Sequence, residues 1–220
     1  MTFWKNESDI KTGRPCGVSA HGPAGRPEPP DPMPVPSFRP APERLNAGSL
    51  TGLRIDVGDL PDLLGLMTDP RVVPTLTASG LPLSEPEVAA RLEAHLWHWN
   101  EHGFGAWVFR DPAVAFVGRA ALERRRLDEA DVVELMYAVH GDRWGRGHGT
   151  RMAEALIDVA FGPLGLDELV AFVLPANARS RSILDRCGFV GERRVVHAGL
   201  PHDLLRLARP GRGAPGRRTP

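Results

Sequence analysis

The sequence predicts an α+β (mixed α/β) domain, on three observations. Short runs of β-branched, apolar and aromatic residues joined by tight turns fill much of residues 106–139, the pattern of antiparallel strands. A strand–helix–strand unit follows, opened by a glycine-rich turn at 144–149. The uninterrupted apolar run Leu169 to Leu174 is what a central strand buried on both faces requires. Antiparallel hairpins and a βαβ unit in one chain place it in neither the all-parallel nor the all-antiparallel class.

In chain order the elements read βααβββαβαββ. Leu53 to Val57 is a short strand, and Asp59 is the expected N-cap of a helix over Leu60 to Met67. Ser84 followed by Glu87 forms a capping box, with Pro86 in the first turn where its missing N–H costs nothing. Val88, Leu92, Leu96 and Trp99 then recur at helical spacing until Gly103. Ala106–Phe109 and Ala113–Leu122 are strands joined at Asp111–Pro112, Arg124–Asp131 is a charged, solvated tip, and Val132–Val139 is the next strand. A helix spans about Gly147 to Phe161. Asn177 caps a shorter helix with Ile183, Leu184 and Cys187 inside, ended by Gly188. Phe189–Val196 and Leu204–Leu207 close the domain as a hairpin around Gly199–Leu200–Pro201.

Composition bounds the function. The 220 residues carry 27 basic and 27 acidic side chains, a balance that argues against a nucleic-acid partner. The balance is uneven: residues 43–208 have a net charge of −5, which favours a cationic partner. Ten of the 22 prolines lie in residues 1–42 and three in 209–220, so both ends are expected to be disordered tails around a single 43–208 domain. No apolar run reaches the length of a membrane helix, the first residues do not resemble a secretory signal, and Cys16 and Cys187 make no disulfide framework. The expectation is a soluble, cytoplasmic monomer or homodimer.

The chemistry concentrates in Trp144-Gly145-Arg146-Gly147-His148-Gly149-Thr150, between a strand and a helix. Its glycines allow a turn whose N–H groups face one way, and the helix start adds its positive dipole end, together a site for phosphate or pyrophosphate. No lysine is present for a Walker-type loop. Antiparallel hairpins also precede the turn, unlike a dinucleotide fold.

With this turn, Glu134-Leu135-Met136-Tyr137-Ala138-Val139 before it, Asn177-Ala178-Arg179-Ser180 after it, and Gly188-Phe189 with Glu192, the chain resembles the GNAT N-acetyltransferases, most of all the RimJ and RimL branch. Thr68-Asp69-Pro70, Phe116-Val117-Gly118 and His202-Asp203 are weaker matches. The resemblance implies a twisted mixed sheet of six to seven strands flanked by about four helices. A V-shaped split between Val132–Val139 and Leu169–Leu174 would hold acetyl-CoA as acyl donor. It implies backbone contacts from Ala138 and Val139 to the pantetheine arm. Pyrophosphate would lie on the turn from Arg143 and Trp144 through Arg146, Gly147, Gly149 and Thr150, with Arg143 and Arg146 adding charge. The acetyl group would pass directly to a primary amine, either a protein N-terminus or a small molecule, with no metal, nucleic acid or membrane involved.

Catalytic roles follow by position. The resemblance places Ser180 near the leaving sulfur, although a first-turn serine can equally serve its own helix. It places Asn177 at the cofactor arm or as a helix cap. Glu134 matches the branch's glutamate, yet in relatives with a clear glutamate base that residue aligns with Val133, so a bulge is required to bring Glu134 into play. Met136 stands where glycine is usual. Glu192, His140 and Tyr137 are the other candidate bases. His95-x-x-His98 has helical spacing without a third ligand and reads as a surface or amphipathic face, and Trp97, Trp99, Phe104 and Trp107 read as core with one or two rings lining the acceptor side. A non-catalytic acyl-CoA sensor or interaction module is the competing reading.

Overall fold

The computed structural model describes residues 40–76, 80–197 and 199–211. The expected tails lie outside the described residues except at their inner ends. There Ala41 is buried, the Pro42 carbonyl accepts the Trp107 indole N–H at 3.0 Å, and the Arg209 N–H donates to the Asp167 carbonyl at 2.8 Å.

Eight strands form one sheet: β1 (Arg44–Ala47), β2 (Leu50–Arg54), β3 (Ala106–Arg110), β4 (Phe116–Leu127), β5 (Ala130–Val139), β6 (Glu168–Val173), β7 (Val190–His197) and β8 (Leu200–Ala208). The spatial order is β1-β2-β3-β4-β5-β6-β8-β7. Every neighbouring pair is antiparallel except β5 and β6, which run parallel. Among the described residues four α-helices flank the sheet: α1 (Leu60–Thr68), α2 (Glu85–His102), α3 (His148–Phe161) and α4 (Ala178–Arg186).

The class and helix count match the sequence reading, and the sheet has one strand more. The additional strand is β1, only four residues long, with Leu45 and Ala47 turned inward. The first predicted strand, 53–57, lies earlier at 50–54. Asp56 ends it by accepting the Gly58 N–H at 2.6 Å and starting a 3-10 turn. Asp59 caps nothing in α1; its carboxylate takes the Asp56 N–H and Arg110.

At α2 the capping box forms as read: the Ser84 N–H donates to Glu87 Oε2 at 2.8 Å, and Gly103 (φ 72°) terminates the helix. The charged tip is a correction. β4 and β5 pair without interruption to Leu127–Ala130, so only Asp128 and Glu129, both at positive φ, make the turn. Arg124 and Arg125 therefore belong to a strand.

Side chains alternate across the sheet, and two residues fix the faces. Glu123 on β4 meets His95 of α2, whereas Tyr137 on β5 meets Ser180 of α4. Arg119, Glu123, Arg125, Glu134, Met136 and Ala138 thus share the α2 face, while Leu135, Tyr137 and Val139 share the face of α3 and α4. α3 buries Met152, Ala153, Leu156 and Ala160 against the sheet, Phe104 and Trp107 pack beside His98 and Trp99 of α2, and Phe109 is fully buried.

Candidate functional site

β5 and β6 share only the register pair Glu134–Val170. Beyond it toward Val139 the strands part. The His140 N–H donates to the Val117 carbonyl at 2.9 Å, so by alternation the main-chain groups of Ala138 and Met136 serve β4. Those of Tyr137 and Val139 face the split. The Val139 carbonyl accepts the Trp144 indole N–H at 2.8 Å, which ties the glycine turn to the strand end.

The turn is built around two left-handed glycines, Gly145 (φ 76°) and Gly147 (φ 74°), the second being the N-cap of α3. A Cβ at either would meet no atom of the described residues within 4 Å, which leaves open space above the turn among them. The N–H groups of Arg143 and Trp144 are spent inside the turn, on the His140 and Gly141 carbonyls. The N–H groups at the start of α3, around His148 to Thr150, precede the first intrahelical bond and point outward, as an anion site needs.

The electrostatics agree. Neither α3 nor α4 has an acidic residue in its first turn, although the helix dipole favours one there. Instead Arg146 is exposed at the turn, and the Arg179 guanidinium lies 4.8 Å above the Trp144 ring. Burial, then the fields of Arg151, Arg146 and Arg143, push the His148 imidazole below its ordinary pKa. Arg143 itself is bonded to Asp111 at 3.2 Å, so its charge is partly spent.

Asp69 holds the turn from below. Its carboxylate accepts the Gly141 N–H at 3.0 Å and both Nε and Nη2 of Arg71, and a side chain on Gly141 would overlap these groups. The Arg71 bonds hold the Asp69 carboxyl at about 2, below the ordinary 3.8. A depressed folded-state pKa means the stabilisation is complete above the unfolded value and is lost as pH falls through the folded one. Unfolding followed from pH 5 to pH 2 is therefore expected to show a stability loss that Asp69→Asn flattens; an unchanged slope would remove Asp69 from the account.

On the far side of the split, Asn177 caps α4 by accepting the Ser180 N–H at 3.1 Å. That leaves the Ser180 hydroxyl for the Tyr137 hydroxyl, 3.0 Å away, while Tyr137 also reaches the Ser180 carbonyl at 3.2 Å. This pair spans the split from β5 to α4. Burial pushes Tyr137 up to about 12, so it stays protonated and able to donate. Thr150 adds a hydroxyl 3.5 Å from Arg186, linking α3 to α4.

On the α2 face, Glu123 and Glu134 sit directly across the strands, bridged by Arg125: Nε to Glu134 Oε2 at 2.9 Å and Nη2 to Glu123 Oε2 at 2.5 Å. His95 Nδ1 lies 2.6 Å from Glu123 Oε1. Burial raises the Glu134 pKa, partly offset by Arg125. For Glu123 burial is outweighed by His95, Arg125 and Arg119, which hold it well below the usual range. Two neighbouring carboxyls are thereby pushed in opposite directions, Glu123 down and Glu134 up. Glu134 reaches this face with β4 and β5 in unbroken register, so no bulge is involved.

Other candidates are placed elsewhere. Glu192 is on the edge strand β7, bonded to Arg206 at 2.8 Å, and His140 closes β5 beside Asp142 and Asp69. His95 and His98 are buried, not on a surface. His98 accepts the Arg124 N–H on Nε2 at 3.0 Å, so Nδ1 carries the hydrogen given to the Phe104 carbonyl. Trp97 is exposed, while Trp99, Phe104 and Trp107 are core. Sequence reading missed Arg179, whose signal was a cation in the first turn of a helix. It also missed the stack of Phe172 on His197 (4.2 Å), for which no spacing rule exists.

Comparison with known proteins places these features in context. A model of the acetyltransferase (GNAT) domain matches residues 50–190. The FsC-acetyl coenzyme A-N(2)-transacetylase of Aspergillus fumigatus is 30% identical over 131 residues, 54% of this chain and 53% of that protein. The chain thus spans about half the length of that relative. A GnaT-family acetyltransferase of Bordetella pertussis superposes with a TM-score of 0.65 at 24% identity, covering 76% of this chain and all of the other. Mycobacterium smegmatis RimJ, solved with CoA-disulfide, gives 0.57 at 21% identity over 75% and 84%.

Proposed function

The chain belongs to the acetyltransferase (GNAT) family, and from that premise we propose that it transfers the acetyl group of acetyl-CoA to a primary amine in a ternary complex. The observation that carries this reading is the parted β5–β6 pair beside a turn with open space above it and outward N–H groups. Acetyl-CoA fits that geometry. Its pyrophosphate would lie on Arg146, Gly147, Gly149 and Thr150, with Arg179 and Arg146 supplying charge, and its arm along Val139 and the neighbouring Ala138 beside the Trp144 indole.

The two faces divide the chemistry. The amine would approach from the α2 side, where Glu134, directly or through one water, takes its proton as nitrogen attacks the thioester carbon. The oxyanion would be met by a main-chain N–H near Val139. As the carbon–sulfur bond breaks, the thiolate would leave toward the Ser180–Tyr137 pair and receive a hydrogen bond or proton there. Asn177 serves as the cap that sets Ser180. Arg143 acts as a brace through Asp111 more than as a phosphate ligand.

The reading is tested by thiol release from acetyl-CoA with a panel of primary amines. Amine-dependent release is expected; CoA binding without release on any amine would favour a sensor instead. Ser180→Ala is expected to lower kcat by roughly tenfold with KM for acetyl-CoA little changed, the loss of one hydrogen bond to developing charge. Unchanged kcat would leave Ser180 a helix residue only.

A further inference from the structure

Arg119 is 6% exposed, yet among the described residues no carboxylate lies within ion-pair distance of it. Among the described residues its Nε has no hydrogen-bond partner, and its Nη1 lies 3.5 Å from the Met136 thioether. The adjacent glutamates are both taken by Arg125. Arg91, half-buried on α2, likewise makes no ion pair among the described residues, and it lies near enough to Arg119 for repulsion between the two charges. Arg119, Arg125 and Arg91 thus gather around Glu123 and Glu134, with Glu87 adding its charge beside Arg91, and of the three cations Arg119 is the one enclosed without an ion pair among the described residues.

A buried cation is tolerated when an anion completes it, and the planar fork of a guanidinium matches a carboxylate. The position is informative as well. Arg119 pairs across the strands with Ala138, beyond the last β5–β6 contact, and shares the α2 face with Glu134. An anion held there would sit beside the proposed thioester position, on the side from which the amine arrives.

We propose that Arg119, assisted by Arg91, binds a carboxylate of the acceptor, so that the acceptor is a small amino-acid-like zwitterion with its amine directed to Glu134. This rests on the acetyltransferase reading and narrows it: a protein N-terminus brings an amine without an obligatory carboxylate, and a polyamine brings none. The balance of charge is local. The domain's net negative charge suits the ammonium group, while the Arg119–Arg91 pair takes the other end.

The test is calorimetric binding of glycine, serine and glutamate, against their α-carboxamides, to the CoA-saturated protein. At least one acid is expected to bind about tenfold to a hundredfold more tightly than its amide. Arg91→Gln, at a half-buried position, is expected to reduce that preference, and Arg119→Lys, which keeps the charge but loses the fork, to reduce it further. Equal affinity for acids and amides, no binding of any acid, or equal binding of formate, an amine-free carboxylate, would each overturn the proposal. Thiol release that does not distinguish acids from amides would overturn it while leaving acetyl transfer standing. Acid-selective binding without thiol release would uphold it and count against the transferase reading.

Discussion

Glu134→Gln is expected to lower kcat by about 10²- to 10⁴-fold, the usual worth of a positioned general base, with CoA affinity unchanged. The substitution keeps size and an acceptor for Arg125 Nε but removes the proton-accepting charge. In the parent protein burial lifts the Glu134 pKa, so activity should fall on the acid side as the carboxylate becomes protonated. That acid limb should vanish in the glutamine variant. Glu123 cannot substitute, because His95, Arg125 and Arg119 hold it as a fixed anion. Equal kcat and an unaltered pH profile would make the Arg125 bridge a structural ion pair and nothing more.

Gly147→Val should weaken CoA binding by about a hundredfold while the protein remains folded. A branched residue at φ 74° carries strain of about 1–2 kcal/mol, equivalent to roughly 2–8 °C in melting temperature. Its Cβ meets nothing within 4 Å, so no packing is disturbed. The added methyl groups instead occupy the space above the first N–H groups of α3. Gly149 offers a contrast. A Cβ there would come within 2.9 Å of Ile183 Cδ1, which must swing aside, and rest 3.5 Å from the Tyr137 ring, so a branched side chain would press on the Tyr137–Ser180 pair. A Gly149 variant should therefore lose turnover as well as affinity. Retention of CoA affinity in Gly147→Val would place the pyrophosphate elsewhere.

Local rules in the sequence carried the elements whose signals are local. The Ser84–Glu87 box, the Gly103 stop and the apolar run of β6 need only neighbours in the chain, and each appears as read. β1 was not legible, because a four-residue strand with two inward side chains has too little periodicity to count. The length of the β4–β5 hairpin was hidden by its charge. Arg125 looks solvated until Glu123 and Glu134, both on the sheet's α2 face, are seen to enclose it.

The site divides in the same way. The glycines and the Asn177 cap declare themselves by residue type and place. Which face Glu134 occupies depends on β-sheet register, and which main-chain groups reach the split depends on the His140–Val117 bond. Arg119 was illegible for a further reason: its significance is the lack of an ion-pair partner among the described residues, and only packing reveals that.

The central claim is that acetyl-CoA lies in the β5–β6 split with its pyrophosphate at the start of α3. Titration of the ¹⁵N-labelled protein with CoA, followed by amide chemical shifts, tests it most directly. The largest changes should fall on Tyr137 and Val139, on Arg146 to Thr150, and on Asn177 to Ser180. Saturable shifts confined to other parts of the sheet, or none at concentrations where acetyl-CoA supports thiol release, would contradict it.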